Sequence, residues 1–512
     1  MRTPVSRRSG LSASMLNKLR RRSIVRDLFE EEISVDAFAG GGGASMGTRA
    51  ATGKSVDIAI NHDPIAIAVF QDNNPATECY RADVFSVDPV RACRGRHVRH
   101  LHASPDCKHF SRAKGSAPVS ASVRALADVV VDWAKAVRPD LITLENVPEF
   151  VEWGPLNSKG KPVKERRGEL FLAWRSKLEA LGYVIEHRVL HAHHFGAPTS
   201  RKRLFLVARC DGQPICWPEP THGPGLKPYR TAASCIDWSI PAPSIFERKR
   251  PLAPATLRRI AAGIVRFVLA NPRPFVVTLR NNVAPRGLDQ PLTTVSAQGT
   301  HHALIAPTLV QTGYGERKGQ APRVLDLHKP LGAVVAGGQK HGLVNALLAP
   351  FVSQFYGGQV GHELKKPLPT ITATDHHALG AVTLAPEQVA HAFPNATKVL
   401  PFLTTYYGSE ADIGQAIDAP LRTITTRDRF ALVTVVVDGV TYAIVDIGLR
   451  MLEPHELLKA QFGPYARGYR LDKALTKKDQ VRLIGNSVVP QMQEAVVRAN
   501  LGPSSRPTRR PA

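Results

Sequence analysis

The sequence predicts an α/β fold with a doubly wound, mainly parallel sheet, followed by a smaller, irregular and mostly β part. Three observations predict it. Strand-like and helix-like patterns alternate from residue 33 to residue 209. A glycine run, Gly40 to Gly43, directly follows the first strand pattern. After residue 212 the texture turns rich in Pro and Gly, and an imperfect repeat then runs from 275 to 435.

The elements follow in order. The apolar run "ISVDAF" (33–38) reads as a strand entering the glycine loop, and "SVDIAI" (55–60) as a second strand ending at Asn61-His62-Asp63. "HVRHLHAS" (97–104) is a third, and it leads into "SPDCKHFSRAKG". Val123, Leu126, Val130, Ala134 and Val137 recur at helical spacing, so 122–138 reads as a helix that stops before Pro139. "DLITLEN" (140–146) is a buried strand, 166–181 a helix stopped by Gly182, and "RLFLVAR" (203–209) a further strand. Alternation of this kind closes into a parallel sheet covered by helices. The repeat appears as "QPLTTVSAQGTHHALI", "KPLGAVVAGGQKHGLV", "KPLPTITATDHHALG" and "APLRTITTRDRFALV". Its Pro-Leu pairs start at 291, 330, 367 and 420, too unevenly for a solenoid, so these read as four strand-loop-strand pieces of one domain. "LRMLEPHELLKAQF" starts a helix, and "LIGNSVVPQMQEAVVRANL" reads as a loop leading into another.

The 512 residues hold 67 Lys+Arg against 43 Asp+Glu, a formal charge of +24, which points to a polyanionic partner, most simply nucleic acid. Six scattered cysteines include no C-x-x-C pair, so neither a zinc site nor a disulfide framework is expected, and the compartment reads as reducing and intracellular. No apolar run is long enough to span a membrane, and the basic start lacks the apolar segment of a secretory signal.

Open α/β sheets bind ligands beyond the carboxyl ends of their strands. The glycine run, Asn61, His62, Cys107 and Glu145 all fall at such ends, and Asp83 follows another short segment. The glycine loop is either a plain turn or a place where a nucleotide-like cofactor approaches the backbone. A polar group after the second strand suits a ribose hydroxyl, and Asp83 suits an exocyclic amine. Cys107 lies among Lys108, His109, Arg112 and Lys114, cations that favour a thiolate. Glu145, at the end of an apolar strand, reads as a desolvated carboxyl with a raised pKa, suited to proton donation. Arg201 and Arg203 are two apart at a strand start, so they share a face and suit phosphate or base recognition.

Taken together, these residues resemble the DNA (cytosine-5) methyltransferases. "DAFAGGGGA" resembles that family's D-x-F-x-G-x-G-G, "SPDCKHFS" its P-C-Q-x-F-S, and "ENVPEF" its E-N-V. "GAPTSRKRLFLV" is similar to G-x-P-Q-x-R-x-R, "RMLEPHELLKAQF" to R-x-L-T-P-R-E-x-x-R-x-Q, and "IGNSVVPQMQEAV" to I-G-N-A-V-P-P. The six stand in the family's order between residue 36 and about residue 497. The resemblance implies a Rossmann-like, S-adenosylmethionine-dependent methyltransferase fold over 33–245 and a target-recognition domain over 246–445. It also implies a C-terminal segment, 446–502, that returns to the catalytic domain, while composition alone marks a basic arm at 1–32 and a disordered basic tail at 503–512.

The activity so implied is methyl transfer from S-adenosylmethionine to C5 of a cytosine flipped out of double-stranded DNA. Cys107 would be the nucleophile at C6, Glu145 the group at N3, and Arg203 with Arg201 the holders of the base or its phosphate. Phe38, Ala39, Gly40, Gly42, Asn61, His62, Asp83, Asn486 and Ser487 map to cofactor-contacting positions, and no metal is implied. Lys108, Arg112, Lys114, Thr294, Thr370, Thr423 and Arg427 are candidate DNA contacts, with His301, His302, His376, His377 and Arg429 beside them. The sequence departs from the pattern at Asp106 and Lys108, which flank Cys107, at Asn61 in place of an acid, and at Thr199 in place of Gln. An RNA cytosine-5 methyltransferase and an inactive DNA-binding relative are the alternatives. The expected state is a monomer, in the cytoplasm of a bacterium or encoded by a phage, and associated with the nucleoid.

Overall fold

The computed structural model describes residues 32–105, 125–158, 162–269, 275–278, 302–312, 320–350, 393–407, 434–437, 440–471 and 475–501. In chain order these begin with β1 (Glu32–Asp36), α1 (Gly43–Thr52), β2 (Ile58–Ile60), α2 (Pro64–Asn73), β3 (Glu78–Tyr80) and β4 (His97–Ala103). There follow α3 (Asp128–Val137), β5 (Leu141–Asn146), α4 (Glu169–Glu179), β6 (Val184–His191) and β7 (Lys202–Arg209). Next come α5 (Pro254–Ile264), β8 (Phe275–Thr278), β9 (His302–Gln311), β10 (Val324–Leu325), β11 (His341–Pro350) and α6 (Ala396–Tyr407). The chain closes with β12 (Thr434–Val437), β13 (Val440–Met451), α7 (Pro454–Phe462), α8 (Lys477–Asn486) and α9 (Pro490–Leu501).

The chain divides into two compact units. The first comprises residues 1–190, 202–219 and 487–512, and the second 191–201 and 220–486. The first holds a seven-stranded sheet in the order β3-β2-β1-β4-β5-β7-β6. The pairs β1–β2, β2–β3, β1–β4 and β4–β5 are parallel, and β7 runs antiparallel to β5. Strand order reverses between β1 and β4, which is where such sheets place their ligands. The strands read as continuous apolar runs because both faces are covered, and β5 is buried at every position. Its core includes Ile33, Leu101, Ile142, Trp133 and Trp174, each fully buried apolar side chain contributing roughly 1.5–3 kcal/mol.

Two strands, the three-residue β3 and the eight-residue β6, add to those the pattern predicts. β6 is an edge strand whose burial does not alternate, so it carries no period-2 signal. The helix expected at 122–138 begins as a 3₁₀ turn at Ala125 and becomes α only at Asp128, while 122–124 lie outside the described residues.

The second unit is built on a six-stranded sheet in the order β10-β9-β11-β13-β12, with β8 paired to β9. All of its described pairs are antiparallel. Residues 220–245 and 446–486 belong to this unit, whereas the sequence groups them with the catalytic domain and a returning C-terminal segment. The reason is a buried polar knot. Arg450 meets Glu456 through two 2.8 Å contacts, and Glu456 also accepts from the Asp237 backbone N–H at 2.7 Å. Of the repeats, the copy at 329–344 is described. It is not strand-loop-strand: Leu331 makes one bridge, to Thr199, and regular strand starts only at His341.

Candidate active site

The site is built at the carboxyl ends of β1, β4 and β5. β1 delivers the chain into Ala37–Gly42, where Gly40 and Gly42 have φ of 49° and 88°. Only glycine adopts such angles without strain. A Cβ on Gly40 would meet nothing closer than the Phe38 carbonyl, at 3.9 Å, so the backbone there is open to close approach. The loop leads into α1, whose N-cap, Gly42, supplies no side-chain cap. Ala39 is buried, while Phe38 is partly buried and its carbonyl accepts from Ser104 Oγ at 3.2 Å, tying the glycine loop to the end of β4.

Gly43 serves a different purpose. A Cβ there would lie 2.2 Å from both Ser487 Oγ and the Val488 carbonyl, and one on Gly47 would lie 2.4 Å from the Pro490 carbonyl. The two small residues, four apart, let α1 press against the segment that opens α9. This contact brings buried Ser487 behind the glycine loop. Asn486, exposed at the end of α8, belongs to the second unit.

Beneath the loop is a buried polar cluster that sequence reasoning missed. Asp36, His102 and Thr143 are successive partners across β1, β4 and β5. Thr143 Oγ1 meets His100 Nε2 at 2.8 Å, His102 Nδ1 at 3.0 Å and Gln493 Nε2 at 3.3 Å. Ser45 Oγ donates to Asp36 Oδ2 at 2.7 Å. Burial pushes the Asp36 carboxyl up to about 6, against the hydrogen bonds from Ser45 and the Phe38 backbone. Burial pushes both imidazoles down to about 3, so both are neutral. The one available signal was the polar character of alternate positions 36, 100 and 102 within apolar strands.

After β2, the Asn61 Oδ1 accepts from the Asp63 N–H at 2.9 Å, and Asp63 caps α2 by accepting from Ile65 N at 2.9 Å. His62 is exposed. Asp83 is exposed and caps a 3₁₀ turn through Phe85 N at 3.0 Å. Each of these carboxylates and amides thus shapes its own turn with one oxygen.

β5 ends in the pair that matters most. Glu145 is 7% exposed, and Arg203 Nε, at the start of β7, stands 3.1 Å from its Oε1. The two are brought together because Asn146 pairs with Leu204 and Glu145 with Phe205 in the antiparallel register. Glu145 therefore stands beside a guanidinium rather than alone at the end of its strand. Arg201 does not join this pair. It is 3% exposed, lies in the second unit, and donates to the carbonyls of Val334 at 3.2 Å and Gly485 at 2.9 Å. Two residues apart in sequence, the two arginines have separate surroundings.

Asn146 Nδ2 donates to the Pro105 carbonyl at 3.1 Å, fixing the chain end that leads toward position 107. Cys107, Asp106, Lys108, Arg112 and Lys114 lie outside the described residues, as do Thr294, Thr370, Thr423, Arg427, Arg429, His301, His376 and His377, and of the His302 side chain nothing is described. Beyond Asn146 the chain is held by an aromatic cluster in which Phe150 contacts Phe171 at 5.6 Å and Trp174 at 5.7 Å. Among the described residues no group of three His, Cys, Asp or Glu side chains is arranged to hold a metal ion, and no helix is long and apolar enough to cross a membrane.

The sequence has counterparts among known proteins. A family model described as C-5 cytosine-specific DNA methylase matches residues 34–224. The type II methyltransferase M.AquIA of Picosynechococcus sp. is 29% identical over 232 residues, covering 41% of this chain and 90% of that protein. M.AgeI of Thalassovita gelatinovora is 29% identical over 38% of this chain, and M.XorII of Xanthomonas oryzae pv. oryzae 31% identical over 37%. In each of these two the match spans 43% of the relative's length. Among solved structures, the Dnmt2 methyltransferase of S. pombe aligns with a TM-score of 0.43 at 13% identity, covering 92% of this chain and 98% of that one.

Proposed function

We propose, from the match of residues 34–224 to the C-5 cytosine-specific DNA methylase model, that the chain methylates C5 of cytosines flipped out of duplex DNA. The observation that carries this reading is the joint at the ends of β4 and β5. Glu145, paired with Arg203, stands next in sequence to Asn146, which holds the Pro105 carbonyl two residues before Cys107.

In this reading the Cys107 thiolate adds to C6 of the cytosine, forming an S–C6 bond and moving the ring's electron pair to C5. Glu145 holds N3 by a proton or hydrogen bond, which stabilises the anionic adduct. Arg203 fixes the Glu145 carboxyl in position. S-adenosylmethionine supplies the electrophilic methyl group. Loss of the C5 proton then expels the thiolate and restores the ring. The residues at the glycine loop fit that cofactor: an open backbone at Gly40 and an uncapped α1 N-terminus suit a carboxylate and close contact. Phe38, Ala39, Gly40, Gly42, Asn61, His62, Asp83 and Ser487 would hold it, with Asn486 next in line. The protein acts as a monomer on DNA in the bacterial cytoplasm, since one flipped base needs one site.

The test is nucleoside analysis of genomic DNA from cells expressing the protein. The reading expects 5-methylcytosine above the level in a Cys107→Ser control. Equal levels in the two strains, or methylation of RNA alone, would sink it.

A further inference from the structure

A second surface, in the unit built on the antiparallel sheet, remains to be explained. The loop between residues 243 and 253 borders a groove of about 810 Å³. Both ends of this loop are fixed. Ile245 N donates to the Ile447 carbonyl at 2.8 Å, Leu449 N donates to the Pro243 carbonyl at 3.0 Å, and Ile245, Phe246 and Leu252 pack on the unit's core. Between these anchors stand Glu247, Arg248, Lys249 and Arg250, all exposed.

The neighbouring acids are engaged elsewhere. Glu247 Oε1 accepts from Asn395 Nδ2 at 2.7 Å, and Asp446 Oδ1 accepts from Ser244 Oγ at 2.7 Å. Arg248 reaches only the Leu449 carbonyl, at 3.4 Å. Lys249 and Arg250 make no ion pair or side-chain hydrogen bond with any described residue. Lys398, held to Asn395 Oδ1 at 2.8 Å, adds a further cation nearby. Three adjacent cations on a firmly anchored loop repel one another, and an extended polyanion relieves that repulsion along its length.

We infer that Arg248, Lys249 and Arg250 form a phosphate-backbone grip for duplex DNA, separate from the residues that handle the flipped base. This rests on the proposed function, and it names the surface of the second unit that holds the substrate.

The test compares the full-length protein with an R248Q/K249Q/R250Q variant, measuring binding to duplex DNA across salt concentrations. Thermal midpoint and S-adenosylmethionine affinity, both expected unchanged, report that the variant is folded. Each phosphate contact contributes about 0.9 to the slope of log affinity against log salt, so the variant's slope falls by about 2 to 3. Between about 50 and about 200 mM salt the wild type then loses roughly 40-fold more affinity than the variant. An unchanged slope in a folded variant overturns the inference, and so does a slope loss seen only with duplex RNA. A wild-type protein that neither binds nor methylates duplex DNA overturns the proposed function along with it. Wild-type methylation with an unchanged variant slope overturns this inference alone.

Discussion

Arg203 Nε stands 3.1 Å from Glu145 Oε1, and both side chains are largely shielded from water, 15% and 9% exposed. Glu145 thus lies within ion-pair reach of a guanidinium on the neighbouring strand. Replacing Glu145 by Gln keeps the shape but removes the titrating oxygen, and kcat is expected to fall by about 10²–10⁴ with little change in cofactor affinity. Single-turnover methylation with separate cofactor titration checks this.

Removing Arg203 alone takes a cation away from a largely buried carboxyl group. Arg203→Ala is expected to cost about 3 kcal/mol of stability. The double variant with Glu145→Ala is expected to recover part of that loss, because the group that Arg203 faced is gone too. Denaturant midpoints of the four proteins in this cycle give the answer, and equal stability of the single and double variants would contradict a direct pair.

The buried cluster beneath the glycine loop predicts acid sensitivity. His100 and His102 titrate near 3 when folded and near 6.5 when unfolded, so below pH 6.5 the unfolded chain gains protons that the folded chain refuses. Asp36 works the other way, since its folded value is about 6 against 3.8, and its contribution is lost as pH rises between those values. Within this cluster two histidines outweigh one aspartate by a single proton, so the cluster's own contribution to stability falls by about 1.4 kcal/mol per pH unit between roughly pH 6 and 4. His341, also lowered to about 4 by burial, acts in the same sense. Thermal midpoints measured against pH test this, and a H100Q/H102Q variant should show a flattened acid limb.

Gly43 and Gly47 predict a steric effect opposite to helix propensity. Alanine in place of glycine ordinarily stabilises a helix by about 1 kcal/mol. Here a Cβ would lie 2.2 Å from the Val488 carbonyl or 2.4 Å from the Pro490 carbonyl, both backbone atoms. Each Gly→Ala change should therefore lower the thermal midpoint, and a rise in midpoint would show that α1 and α9 do not meet so closely.

In the second unit, Glu456 is fully buried against Arg450 and also accepts from the Glu453 N–H at 2.6 Å. Glu456→Ala should cost roughly 3–5 kcal/mol, read as loss of the folded fraction in denaturant titration.

Much of the first unit was legible in the residues. β1, β2, β4, β5 and β7 all lie within the predicted segments apart from one residue at the start of β1 and β7. β6 was not legible because an edge strand exposed on both faces has no apolar period. The association of Asp237 with Arg450 and Glu456 was not legible because those residues lie more than 200 positions apart. Spacing alone put Arg201 and Arg203 on one face, and it took the surroundings of each to separate them. The glycine run was read as one cofactor loop, whereas Gly43 answers to helix packing, a contact that depends on where α9 lies.

The central claim is a covalent adduct between Cys107 and C6 of cytosine. Mass spectrometry of the protein after incubation with S-adenosylmethionine and a pool of duplexes carrying 5-fluorocytosine tests it most directly, because fluorine at C5 blocks the final elimination. The account predicts a DNA-linked species that maps to the peptide containing Cys107 and is absent from Cys107→Ser. Methyl transfer to DNA without any such adduct, or an adduct on another residue, would contradict it.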